Sequence, residues 1–114
     1  MESQAHLRGL RMAPRKVALV ASLVRGKPVG AALSILRFTR KAASAPLVKL
    51  IKSAVANASD LSKGQVDVDA LFVKHISVDQ GRTAKRFMPR AMGRATPVHK
   101  KTSHVHVTLA EAGK

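Results

Sequence analysis

The sequence predicts an α+β fold, with helices in its first half and strands in its second. Three observations lead to it. Aromatic residues make up only 3% of the 114 residues, with no Trp and no Tyr, while hydrophobic residues make up 46%. A core built from Ala, Val, Leu and Ile favours closely packed helices. Apolar residues then recur at helical spacing between positions 14 and 59, and from position 70 onward short runs of branched residues replace them. The length is that of one domain, and a chain of this size buries roughly 65% of its unfolded surface, enough for one modest core.

The first helix is expected over Pro14 to Arg25. Pro14 suits a first helical turn, where its missing N–H is not needed. Val17, Val20, Ala21 and Val24 form one stripe, and Gly26 is a helix terminator. A second helix from about Pro28 to Leu36 follows so closely that the two should pack as a pair, although Gly30 weakens it. GKP at 26–28 reads as a turn between them. The third helix, from about Ala43 to Ser59, should be the longest. Leu47, Ile51, Ala54, Val55 and Ala58 share a face, and Pro46 must then lie in the first turn, which makes Ser44 the expected N-cap.

ALFVKHISVDQ (70–80) and HVHVTLAE (104–111) are short and rich in branched residues, as strands are. In the second, Val105, Val107 and Leu109 alternate with His104, His106 and Thr108, so that two faces separate cleanly. The two runs are expected to form an antiparallel pair.

Between them lies GRTAKRFMPRAMGRATPVHKK (81–101), with seven Lys or Arg and no carboxylate. A connection of this length inside a small domain is either functional or disordered. One reading of residues 80–103 is a loose basic loop. The other continues the strands outward into a two-stranded arm, about 12 residues a side and ~40 Å long, turning near Ala91 with Gly93 as turn residue. Even positions carry Arg82, Arg86, Arg90 and Arg94, and Lys85 falls on the odd face, so neither face can lie on a protein core without burying charge. A bare two-stranded ribbon is marginal in water, so such an arm needs an anionic surrounding to become ordered.

The charge balance names that surrounding. Lys and Arg number 21 against six Asp and Glu, a net charge of +15. A compact body so charged repels itself, and a polyanion relieves the repulsion. An anionic membrane would call for an amphipathic basic helix, whereas the densest basic stretch contains Gly81, Pro89, Gly93 and Pro97. Nucleic acid is therefore the expected partner, and a folded RNA threaded by the arm suits it better than one duplex groove. Arg11, Arg15 and Lys16 flank the first helix start, where free backbone N–H groups add to the attraction for anions. Arg37, Arg40 and Lys41 crowd the segment before the third helix.

Enzyme chemistry finds little support. There is no cysteine. His75, His104 and His106 are three imidazoles on neighbouring strands, but Lys74, Lys100 and Lys101 would repel a cation, so neither metal nor cofactor is expected. Asp67 and Asp69 read as a solvated turn, and no nucleophile–base pair or phosphate loop can be proposed. MESQAHLRGLR lacks a signal-peptide core, and no run approaches the ~20 apolar residues of a membrane span. A soluble intracellular protein without a presequence, bacterial rather than organellar, is the expectation.

With these residues placed, a family resemblance is visible. APRKVALVASLVRGKPVGAALSIL, KSAVANA (52–58) and KRFMPRAMGRATPVHKKTSHVHV resemble the large ribosomal subunit protein twenty-two family, whose members carry a long β-hairpin, from about His6 to Leu109. The resemblance implies three helices packed on a small antiparallel sheet from which a long two-stranded β-hairpin extends. It implies a globular part of about 6–79 and 102–114 near the opening of the polypeptide exit tunnel, and a hairpin of about 80–101 reaching inward through ribosomal RNA. Arg82, Lys85, Arg86, Arg90, Arg94, Lys100 and Lys101 would contact that RNA along the arm, and Arg11, Arg15 and Lys16 would hold it at the globular end. Arg90, Ala91, Met92 and Gly93 would form the tip, beside the nascent chain and a neighbouring ribosomal protein. The family also assists subunit assembly and influences the macrolide response. Two positions depart from its pattern: Ala13 stands where a capping Ser is frequent, and Met92 where a Lys or Arg is. A general nucleic-acid compactor is the alternative that the charge alone allows. The resemblance itself implies an RNA partner in the cytoplasmic ribosome, with no role for DNA or membrane.

Overall fold

The computed structural model describes residues 2–65, 68–89, 93 and 95–111. Three helices, α1 (Pro14–Val24), α2 (Val29–Phe38) and α3 (Ser44–Leu61), pack on one face of a three-stranded antiparallel sheet. Its strands are β1 (Glu2–Leu10), β2 (Leu71–Gln80) and β5 (Ser103–Glu111), in the order β1-β5-β2. Two further strands, β3 (Ala84–Pro89) and β4 (Ala95–Lys100), pair with each other alone. The molecule measures 65 × 25 × 18 Å, as expected of a small body with a protruding arm. Among the described residues, no helix is long and apolar enough to cross a membrane.

The core follows the predicted stripes. Val17, Val20, Ala21 and Val24 of α1, with Leu47, Ile51, Ala54 and Ala58 of α3, are buried against Val105, Val107 and Leu109 of β5 and Val73 and Ile76 of β2. Leu50 joins this face of α3, while Val55 packs at its margin. The helix boundaries move by one or two residues. Arg25 is the C-cap of α1 rather than its last residue, and its guanidinium donates to the Ile76 carbonyl at 2.8 Å. Gly26 follows with φ +77°, as a helix terminator does.

Three expectations need correction. Ser44 is not the N-cap of α3: Ala43 takes that place without a side-chain bond. Ser44 lies inside the helix with its Oγ buried and, among the described residues, without a hydrogen-bond partner. The helix enters one residue earlier because Ala43 itself is needed in the core, at 3% exposure. The GKP segment is more than a turn. Gly26 N–H donates to Val73 O and Val73 N–H to Lys27 O, both at 2.9 Å, and Pro28 bridges Phe72. The segment thereby covers part of the edge of β2, which would otherwise expose unpaired backbone groups.

The third correction is β1, which the residue pattern did not suggest. Its inward positions are Ser3, Ala5 and Leu7, too small and polar to register as a strand. The KSAVANA segment (52–58) of α3 explains why they fit. Ala54 and Ala58 leave room on α3, Ser3 Oγ donates to the Ala54 carbonyl at 3.0 Å, and Asn57 Nδ2 donates to Gln4 O at 2.9 Å. Backbone contact replaces side-chain bulk.

The long connection is a hairpin, but not a simple continuation of β2 and β5. Their ladder ends at Gln80 opposite Ser103, and a new one runs from Ala84 opposite Lys100 to Pro89 opposite Ala95. The register slips by one residue across the neck, so the hairpin centres on position 92, one residue beyond the expected turn. Gly93, at φ +72°, adopts the left-handed conformation that a turn residue there needs. Arg90, Ala91, Met92 and Arg94, and likewise Asp67, lie outside the described residues. Asp69 sits in a short 3₁₀ turn, Val68–Ala70, ahead of β2.

Candidate nucleic-acid interface

Chain topology gathers cations that are far apart in sequence. The β1–α1 connection brings Arg11, the first turn of α1 brings Lys16, the segment before α3 brings Lys41, and the foot of the arm brings Lys100 and Lys101. All five line one groove of about 1200 Å³, and all five are exposed. Among the described residues, no Asp or Glu lines it. Glu2 forms an ion pair with Lys74, and Asp79 lies against His106, both on the opposite face of the sheet. The groove cations therefore repel one another without an internal counter-charge, and an anion between them removes that penalty.

Local chemistry fixes the groove walls. Ser103, fully buried at the start of β5, donates from Oγ to the Met12 carbonyl at 2.6 Å and ties the β1–α1 connection to the arm's foot. Thr102 Oγ1 donates to the Arg82 carbonyl at 2.6 Å, across the neck. Ala13 makes no side-chain cap at α1, as its lack of an oxygen requires. The start of that helix faces the groove with its positive dipole end uncovered by a capping side chain.

Of the sequence-predicted residues, Arg11, Lys16, Lys100 and Lys101 meet in the groove; Arg15 is exposed beside it on α1 but does not line it. Arg82 and Lys85 are exposed beyond the neck, and the backbone of Arg86 pairs with Val98 in the arm. Arg90 and Arg94, and the tip positions Ala91 and Met92, fall outside the described residues; Gly93 is exposed. Lys41 belongs to a basic cluster visible in the sequence but not to the set expected to bind RNA. Only the tertiary fold brings it to the same groove as Lys100.

The outer sheet face holds the histidines. His104 and His106 do share a face, but the imidazole nearest His106 is His6 of β1, not His75. His6 Nδ1 and His106 Nδ1 stand 2.6 Å apart, so one donates its proton and the other accepts. His106 Nε2 lies 3.2 Å from Asp79 Oδ2, and His104 Nδ1 accepts the Gly9 N–H at 3.0 Å. These nitrogens are used in joining β1, β5 and β2. Among the described residues, no group of three His, Cys, Asp or Glu is placed to hold a metal ion.

At the other end of this face, the Lys74 ammonium hydrogen-bonds to Glu2 and, together with its charge, holds the Glu2 carboxyl below its ordinary value of 4.5.

Comparison with known proteins shows the family. The model of the family described as ribosomal protein L22p/L17e matches residues 5–110. The large ribosomal subunit protein uL22 of Myxococcus xanthus is 74% identical over 114 residues, covering the whole of both chains. Its counterpart in Anaeromyxobacter sp. strain Fw109-5 is 60% identical over 108 residues, 95% of this chain and 74% of that one. That of Geobacter sulfurreducens is 53% identical over 111 residues, 97% of this chain and 98% of that one.

Proposed function

We propose, for a chain that belongs to the ribosomal protein L22p/L17e family and is a structural constituent of the large ribosomal subunit rather than an enzyme, that it anchors folded ribosomal RNA at the foot of its arm. The observation that carries this is the convergence of Arg11, Lys16, Lys41, Lys100 and Lys101 on one groove without a carboxylate. Three separate segments deliver those charges, so only the folded chain concentrates them.

In this reading the globular part, about 6–79 and 102–114, seats on RNA near the exit of the polypeptide tunnel. The arm, about 80–101, passes between RNA segments. Arg82, Lys85, Arg86, Arg90, Arg94, Lys100 and Lys101 face phosphates along it, with Arg11, Arg15 and Lys16 at its base. Small residues such as Ala84 and Ala95 let the RNA backbone approach between the cations. Arg90, Ala91, Met92 and Gly93 form the tip, beside a neighbouring ribosomal protein and the nascent chain. Phosphate contacts position the chain and carry no base sequence by themselves. By holding RNA segments together the protein assists assembly of the subunit. Its bacterial relatives point to the cytoplasm as its location, with RNA rather than DNA or membrane as its partner.

Amide relaxation of residues 70–109, in the free protein and with large-subunit RNA fragments, tests the reading. The amides of 84–89 and 95–100 should gain order when RNA is added, because the polyanion neutralises an arm that carries charge on both faces. An arm unchanged by RNA, together with equal competition by duplex DNA, would favour a general nucleic-acid compactor instead.

A further inference from the structure

The groove is not basic throughout. The five cations share its lining with an apolar floor, of which Met12 and Ala13 are half-buried and Leu19 and Ala42 exposed. Leu19 is 66% exposed, with its neighbour Leu23 one turn further along α1 at 45%. A single exposed leucine is unremarkable. Leu19, however, lines the same groove as five Lys and Arg, and phosphate contacts alone give no use to its apolar lining. The groove volume of about 1200 Å³ also exceeds the roughly 300–1,000 Å³ of a compact small-molecule site.

We propose that this groove seats an unpaired nucleotide of the bound RNA, its base lying on the floor around Leu19 and its flanking phosphates on the rim. The inference rests on the RNA-binding reading above and specifies which form of RNA the groove takes. An A-form duplex presents riboses and phosphates and keeps its base faces stacked, so it can reach the rim but not the floor. A bulged or single-stranded nucleotide offers both an apolar face and a charge. The charge pattern selects a polyanion over an apolar peptide, which would leave the five cations unpaired. Because the Leu19 and Met12 side chains make no directional hydrogen bond to a base face, the site accepts any of the four bases with little discrimination.

The test uses the full chain and two probes, a 12-nucleotide single-stranded RNA carrying 4-thiouridine and a 16-base-pair RNA duplex. Leu19→Ser, at an exposed position, leaves the core intact. It should weaken binding of the single strand about fivefold and that of the duplex less than twofold. Lys41→Ala should weaken both alike. Photo-crosslinks from the thiouridine should fall within residues 11–25, 41–43 or 100–102, and crosslinks confined to residues 84–99 count as mapping to the arm alone. The proposal is overturned if Leu19→Ser weakens both probes equally or neither. It is also overturned if crosslinks map only to the arm, or if an acidic peptide of alternating Glu and Leu displaces the single strand at lower concentration than unlabelled strand does. Binding of the duplex alone would sink this inference while leaving the RNA-binding reading in place; binding of neither probe would sink both.

Discussion

Gly81 N–H donates to the Thr102 carbonyl at 2.8 Å, and a Cβ on Gly81 would lie 2.6 Å from the Thr102 hydroxyl oxygen. The same Cβ would come 3.0 Å from His104 Nε2. The neck of the arm is thus closed around a residue without a side chain. The Thr102 hydroxyl cannot swing aside freely, because it is bonded to the Arg82 carbonyl. Gly81→Ala should therefore cost about 1–3 kcal/mol, as overpacking does, and lower amide protection on both sides of the neck. Hydrogen exchange of residues 78–85 and 100–105 checks this. Unchanged protection would show that the neck yields without cost.

Ser44 separates two physical expectations. As an N-cap, its loss to Ala would cost about 1 kcal/mol. With its Oγ buried and without a partner among the described residues, Ser44→Ala should instead be neutral or stabilising by up to about 1 kcal/mol. Denaturant unfolding of the two proteins decides by the sign of the change.

Ser103→Ala should behave in the opposite way. Its hydroxyl satisfies the Met12 carbonyl from a fully buried position, and removing it strands that acceptor. A loss of about 1–3 kcal/mol is expected from denaturant unfolding. Since the bond fixes one groove wall, RNA affinity should fall as well, at a temperature where the variant remains folded.

Salt dependence reads the rim charges individually. Lys100→Ala and Lys101→Ala should each reduce the log–log slope of RNA affinity against salt by about 0.7–0.9 for each phosphate that the lysine neutralises. An unchanged slope for either would remove that lysine from the interface.

Acid reports on the far end of the sheet. The Glu2 carboxyl is held below 4.5 by its hydrogen bond from Lys74 and by the charge of that lysine. A carboxyl depressed in the folded state contributes stability that is fully present above 4.5 and lost as pH falls through the lower folded value. The stability difference between the natural chain and Glu2→Gln should thus be present at neutral pH and close in the acid range. Because the pair is solvent-exposed, the difference should be small and should shrink further with added salt.

The sequence by itself determined the three helices, the two core strands and the polyanionic partner. Val17, Val20, Val24, Leu47 and Ile51 repeat at helical spacing, Val105, Val107 and Leu109 alternate, and the excess of Lys and Arg needs no fold to be counted. These signals are local or additive. The tertiary structure alone decided what depends on distant partners. Strand β1 exists because Ala54, Ala58 and Asn57 of α3 accept a backbone that has little apolar bulk of its own. His6 displaces His75 as the neighbour of His106 because β1, unsuspected, lies on the other side of β5. The Ser44 hydroxyl was spent inside the helix because Ala43 was needed in the core. Lys41 and Leu19 met in one groove only when three chain segments closed around it. A cation's charge is written in its residue, but the field it makes with others depends on their separation, and separation is set by packing.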